Sequence, residues 1–228
     1  MREAVFSYLN TFDPFQMFGL EHILGIIIAL IVIIALPVYA KRHLNKQMQY
    51  KIGMLIGWIV FGNYIIWVGL EIIAGTFDYK VHLPVHLCRF ANIMIPLVMV
   101  WRSYLAYEIL FFWGFSGMLQ ASITPDIAAG FPHFHYFRFW LGHQGLILAL
   151  VYATVVYDIR PSFKSLKKSF IALNIFLGFA TIVNILMDAN YFWICGKPVN
   201  QFGEHIPTLL DYLGPWPWYI ISAEFVAL

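Results

Sequence analysis

Seven apolar stretches of membrane-spanning length fill most of this 228-residue chain. A helix needs roughly 20 mostly apolar residues to cross about 30 Å of hydrocarbon, and each stretch comes close to that length. Charged residues make up only 11% of the chain, whereas soluble domains carry about a quarter. This pattern excludes a soluble protein and predicts an all-α, polytopic membrane protein with seven transmembrane helices.

The predicted spans form a single membrane domain over residues 1–228. Prolines within the third and seventh spans, Pro84, Pro96, Pro215 and Pro217, predict kinks or a broken helix start there. The last span ends on Leu228 without a polar flank, as expected of a truncated span. The spans are Met17–Ala40, Ile52–Ala74, Leu83–Trp101, Tyr104–Ala121, Phe137–Tyr157, Phe170–Trp193 and Ile206–Leu228.

The basic residues of the connecting segments set the expected orientation, because Lys and Arg concentrate on the cytoplasmic side. Nine fall on one side of the seven-span arrangement and four on the other. The amino terminus is therefore expected outside and the carboxyl terminus inside. The inner set is Lys41, Arg42, Lys46, Lys51, Arg102, Arg160, Lys164, Lys167 and Lys168, and the outer set is Arg2, Lys80, Arg138 and Lys197.

In this orientation, polar side chains within the spans concentrate at the outer ends. Charge inside a bilayer is costly, so a shared polar layer predicts a functional, hydrated cavity open to the outer leaflet. The inner halves offer little beyond Asn63, Glu108, Asn174 and Glu224. The outer layer comprises Glu21, His22, Glu71, His86, Cys88, Arg89, Asn92, Gln120, His143, Gln144, Asn184, Asp188 and Asp211.

Cys88 is the only thiol within the predicted spans, and a thiolate becomes a strong nucleophile beside a base or a cation. His86 lies two positions away and faces elsewhere on the helix, so the base must come from another span. His143, at matched depth, is the best candidate and His22 the second. Arg89 provides a fixed cation suited to a phosphate head group or a developing oxyanion.

Four segments carry a resemblance that covers nearly the whole chain. They are HLPVHLCRF at 82–90, FWGFSGMLQASITPD at 112–126, FRFWLGHQG at 137–145 and LGPWPWYIISAE at 213–224. The sequence resembles the YwaF-like family of bacterial integral membrane proteins, which is similar to the eukaryotic acyltransferase transmembrane protein 164. The resemblance implies a seven-helix fold in a bacterial cell membrane, acyl transfer through a cysteine, and Cys88 and His143 as the catalytic pair.

The residues and the resemblance together predict that an acyl chain passes from a glycerophospholipid to Cys88 and then to a lysolipid or other acceptor. His143 is the expected base, and Arg89, Asn92 and Gln120 are expected to hold the head group or the oxyanion. The partners are thus membrane phospholipids, with no nucleic acid, no cofactor and no metal. One carboxylate among Glu71, Asp188 and Asp211 is expected to orient the His143 imidazole. The remaining predicted supporting residues are His22 and His86.

Other interpretations of the polar residues within the spans remain open. Intramembrane carboxylates and histidines also form proton relays in transporters, although the apolar inner halves speak against a path through the full thickness. A zinc-dependent membrane hydrolase could use His22, His86, His143 and a carboxylate, but no ligand motif of tight spacing supports it. Cys88 could also be a packing residue, and Cys195 is expected to be an exposed loop thiol.

Overall fold

The computed structural model describes residues 1–199, 205 and 208–226, and in this part of the chain the regular structure is entirely helical. The predicted all-α class is confirmed. A π-helical turn, Gly114–Met118, joins α5 to α6, and 3-10 turns occupy Tyr191–Trp193 and Leu209–Tyr212. The α-helices are α1 (Arg2–Asn10), α2 (Leu20–His43), α3 (Lys46–Ala74), α4 (Leu87–Met99), α5 (Tyr104–Trp113), α6 (Leu119–Ile123), α7 (Phe134–Val155), α8 (Phe163–Met187) and α9 (Trp218–Val226).

Three helices, α2, α3 and α8, are long and apolar enough to cross a membrane by length and composition, and α4 is a shorter apolar helix. The outer faces of α2 and α8 present large apolar side chains rather than polar ones. Ile34 is 63% exposed and Leu186 is 78% exposed. A contiguous apolar surface of this kind is unfavourable in water and is suited to lipid.

The broken starts predicted from the prolines are confirmed. After Pro84 the chain runs through turns, and α4 begins only at Leu87. In the seventh predicted span, Gly214 has φ 108° and the prolines that follow lack a backbone N–H, so α9 begins only at Trp218. Among the described residues, the regular structure of this predicted span is therefore a 3-10 turn at Leu209–Tyr212 followed by α9.

The bounds of the sixth predicted span differ from those of α8, because α8 begins seven residues before Phe170 and ends before Asp188. Asp188 adopts φ 51°, which terminates the helix. The Asn184 side chain then accepts from the Tyr191 amide at 2.7 Å and donates to the Tyr191 carbonyl at 2.9 Å. These bonds turn the chain back over the end of α8.

The core lies where α4 and α7 pack against α3 and against each other. Ala91 and Ile95 of α4 and Ala149 of α7 are completely buried. At Gly57 of α3, an added Cβ would lie 2.7 Å from Cβ of Met99, so the absence of a side chain allows α3 and α4 to approach closely. This packing fixes α4 against both α3 and α7.

A buried ion pair ties α5 to α8. The Glu108 side chain is 2% exposed, and its oxygens accept from Ser165 Oγ at 2.7 Å and from Lys168 Nζ at 2.6 Å. The carboxylate is thereby supplied with partners in an otherwise apolar setting, as a buried charge requires.

Candidate functional site

A cavity of about 510 Å³ lies among α3, α4, α7, α8 and the segment around α9. Two kinds of side chain line it. Towards the start of α4 the lining is polar, and along α8 it is largely apolar. The polar lining includes Asn63, His86, Cys88, Arg89, Asn92, Gln120, Asp126, Arg138 and His143. The structure therefore brings six of the predicted site residues, His86, Cys88, Arg89, Asn92, Gln120 and His143, to one space.

Cys88 occupies the first turn of α4, since the helix begins at Leu87 with His86 as its N-cap. The thiol is free and partly exposed to the cavity. Backbone N–H groups in a first helical turn lack intrahelical partners and give the helix start a partial positive charge. Together with the cation of Arg89, these N–H groups partly offset the cost of burying a negative charge at Cys88.

His143 presents one ring nitrogen for chemistry. Its Nδ1 lies 3.0 Å from the Phe139 carbonyl oxygen, and because a carbonyl only accepts, Nδ1 carries the hydrogen. In the neutral ring, Nε2 then keeps its lone pair. The neighbouring Gly142 lies against α4, where an added Cβ would be 3.0 Å from Asn92 Nδ2. His143 and Cys88 therefore lie on two helices, α7 and α4, that pack closely together.

Two predicted supporting residues contribute differently to the cavity. The buried Asn92 Oδ1 has no hydrogen-bond partner among the described residues, and a buried acceptor without a partner is costly. His86 accepts at Nδ1 from the Phe192 amide at 3.4 Å and lies edge-on to the rings of Tyr191 and Trp193. His86 therefore orders the wall of the cavity, while Asn92 retains capacity for a ligand.

The structure places His22, a predicted supporting residue, outside the candidate site. His22 is completely buried and does not line the cavity. Its Nδ1 accepts from the Phe18 amide at 3.0 Å, and its Nε2 donates to the Ser122 carbonyl at 3.0 Å. Since both ring nitrogens bond backbone groups, His22 holds the start of α2 to α6 and takes no part in the cavity.

The structure also does not bring to the cavity the carboxylates expected to orient the His143 imidazole, since none of Glu71, Asp188 and Asp211 lines it. Glu71 accepts from Trp67 Nε1 at 2.8 Å and from Thr76 Oγ1. The other two carboxylates pair with surface groups. Asp188 contacts Lys80 at 2.8 Å, and Asp211 contacts Lys197 at 3.2 Å and His205 at 2.9 Å.

Sequence reasoning missed Arg138, Asp126 and Trp67. Arg138 was counted only as a loop charge, although it stands one residue inside the fifth predicted span. Asp126 opens onto the cavity, where burial raises the pKa of its carboxyl while Arg138 and Arg89 oppose that rise. The available signals were an unmatched charge within an apolar run and the carboxylate that closes the segment FWGFSGMLQASITPD.

The zinc interpretation requires three ligands to converge. His22 is separated from the cavity that His86 and His143 share. Within the part of the chain that the structure describes, no three His, Cys, Asp or Glu side chains are arranged to hold a metal ion.

Comparison with known proteins gives one match. The model of the TMEM164 family matches residues 17–228, which include every cavity-lining residue. This match confirms the resemblance to transmembrane protein 164 seen in the sequence segments. No curated protein and no solved structure matches the chain.

Proposed function

The chain belongs to the TMEM164 family, and from this premise we propose that it is a membrane-embedded acyltransferase with Cys88 as its nucleophile. The enzyme would move a fatty acyl chain from a glycerophospholipid to a lysolipid or other acceptor through a cysteine thioester. One observation carries the proposal. A single cavity contains Cys88 in the first turn of α4, His143 with an available Nε2, and an apolar arm along α8.

In the first half-reaction, His143 Nε2 accepts the Cys88 thiol proton, and the thiolate attacks the ester carbonyl carbon of the phospholipid. Asn92 and Gln120 offer amide N–H groups to the developing oxyanion. The ester C–O bond then breaks, the lysophospholipid oxygen takes the proton back from Nε2, and the acyl chain remains on Sγ.

The second half-reaction reverses these roles. The acceptor hydroxyl gives its proton to His143 Nε2, and its oxygen attacks the thioester carbonyl. Collapse of the tetrahedral intermediate releases Cys88 as a thiolate, which recovers the proton from Nε2. The acyl ester of the acceptor leaves, and the enzyme returns to its starting state.

The apolar arm supports an acyl substrate. One face of α8, from Leu166 through Phe170 and Leu173 to Leu177, lines the cavity. At 1.5 Å per residue these positions extend over about 16 Å. Half of a hydrocarbon core about 30 Å thick, the depth that one acyl chain occupies, is about 15 Å. The arm is therefore long enough for most of one acyl chain.

Narrowing this arm is expected to change chain-length preference. Leu173→Trp should shift competition between dimyristoyl and distearoyl phosphatidylglycerol towards the shorter chain by about tenfold, because misfit in an apolar pocket discriminates to this degree. The ratio of the two Cys88 adducts measures the shift. Leu186→Trp, on the lipid-facing side of the same helix, is the matched control. Equal ratios in both variants would contradict the acyl assignment of the arm.

The thioester is the direct test of the proposed function. After incubation with phospholipid vesicles, the intact protein should gain the mass of one acyl group, and hydroxylamine should remove it. Peptide mapping should place the group on Cys88. No adduct, or an adduct confined to the exposed Cys195, would overturn the proposal.

The same proposal places seven spans across a bacterial cell membrane, with the amino terminus outside and the cavity towards the outer leaflet. In a Cys195→Ser background, Lys197→Cys should react with a membrane-impermeant thiol reagent in intact cells, whereas Arg42→Cys should not. The reverse labelling pattern would move the site to the inner leaflet, since the basic loops would then lie outside.

A further inference from the structure

Two arginines lie on one indole ring inside the cavity. The guanidinium carbon of Arg138 is 4.1 Å from the centre of the Trp67 ring, and that of Arg89 is 4.6 Å away. Trp67 is itself held in place, since it is 5% exposed and its Nε1 donates to Glu71 at 2.8 Å. The ring therefore forms a rigid platform that brings together cations from α4 and α7.

Most donors of these two guanidinium groups are unused. Each guanidinium carries five N–H donors, yet within the described ranges Arg89 donates only to the Val81 carbonyl. The buried Nε of Arg138 has no partner there. No carboxylate oxygen of the described residues lies within 4.0 Å of either group. Unpaired cations at membrane depth are costly, so the site is built to receive an anion.

The neighbouring carboxylates do not supply that anion. Glu71 already accepts from Trp67 and from Thr76. Asp126 lines the cavity but forms no ion pair with either arginine. Glu224 also lines the cavity and likewise forms no ion pair with them, so among the described residues neither lining carboxylate contacts the two guanidinium groups.

We propose that Arg89 and Arg138, on the Trp67 platform, form a subsite for the phosphate of a phospholipid. A guanidinium fork matches two phosphate oxygens at once, and two forks can hold one phosphodiester from separate sides. The choice of a lipid phosphate over free phosphate rests on the proposed function and on the apolar arm that leads away from the polar end.

Lipid retention in an inactive background tests this subsite without turnover. Purified Cys88→Ser protein is incubated in detergent with dioleoyl phosphatidylglycerol or with dioleoylglycerol, which has the same chains and no phosphate, and bound lipid is counted by native mass spectrometry. Adding Arg138→Gln should lower phosphatidylglycerol retention about tenfold, the value of a charge-assisted contact, and leave dioleoylglycerol retention unchanged.

Arg102→Gln is the matched control, because Arg102 also stacks on aromatic rings, 4.9 Å from Tyr50 and 4.8 Å from Tyr157, but does not line the cavity. This variant should change the retention of neither phosphatidylglycerol nor dioleoylglycerol. If Arg138→Gln does not yield folded protein, Arg89→Gln provides the same comparison. Equal phosphatidylglycerol retention with and without the cavity arginine would overturn the subsite.

Competition with inorganic phosphate distinguishes a lipid phosphate from free phosphate as the ligand of the subsite. Millimolar phosphate should leave phosphatidylglycerol bound, because the lipid also fills the apolar arm. If phosphate displaces the lipid in an Arg138-dependent way, the subsite takes free phosphate and the lipid assignment is overturned. Failure of wild-type protein to form the Cys88 thioester would instead overturn the proposed function, since retention is measured without turnover.

Discussion

Cys88→Ser is expected to lower acyl transfer by at least about a thousandfold in purified, lipid-reconstituted protein, the scale seen when a catalytic nucleophile is removed. An alcohol in the same position ionises far less readily than a thiol, so the first half-reaction stops. The free energy of unfolding should change by about 1 kcal/mol or less, because the substitution is nearly isosteric and faces a polar cavity. Thermal unfolding and transfer kinetics of the same preparation measure both quantities.

His143→Ala should produce a comparable loss, and the variant lacking both residues should be no worse than either single variant. Residues that act as one unit are not additive. Cys195→Ser is the matched control and should retain full activity, since that thiol is exposed and does not line the cavity. Full turnover in Cys88→Ser would show that the thiol only packs and would remove the nucleophile from the mechanism.

Lys168→Met is expected to destabilise the fold by about 2 kcal/mol, because it leaves the Glu108 carboxylate without its cation. The Glu108 side chain is 2% exposed and that of Lys168 is 48% exposed, so screening of the lysine by solvent reduces the effect below that of a fully buried pair. The midpoint of thermal unfolding in detergent should fall accordingly.

The combined variant Glu108→Gln and Lys168→Met should recover most of that loss, since no unpaired buried charge remains and Gln can still accept from Ser165. Lys167→Met, at the neighbouring exposed position, should have little effect. An equal fall in both lysine variants would contradict the role of the ion pair and would indicate a general effect of charge at the start of α8.

Sequence reasoning located Cys88 and His143 in the same cavity because intramembrane polar residues are few and their depth follows from the chain. Each residue advances a helix by 1.5 Å, so counting from a span end gives depth. Counting does not give the direction in which a side chain points relative to its neighbours. His22 shares the polar layer with His143, yet α2 is rotated so that its imidazole bonds Phe18 and Ser122.

The exact residues at which helices begin were predicted less accurately from the sequence. The prolines predicted an irregular start to the third span, and α4 begins at Leu87. Cys88 falls in the first turn, where the helix start carries a partial positive charge, and this position follows from where the preceding turns finish. In the same way, α9 is shorter than the apolar run that contains it, because Gly214 and Pro217 prevent an earlier start.

By itself, the sequence determined the all-α class, the apolar helices and the small set of polar residues among them, because hydrocarbon tolerates few exceptions. Only the tertiary structure decided which of these polar residues lie close together. Arg138 and Arg89 lie 49 positions apart in the chain and share the Trp67 ring, while Asp188 and Asp211 pair with surface cations. The physical reason is that helix rotation and crossing depend on how all the side chains pack together, and a linear pattern records only the spacing along each helix.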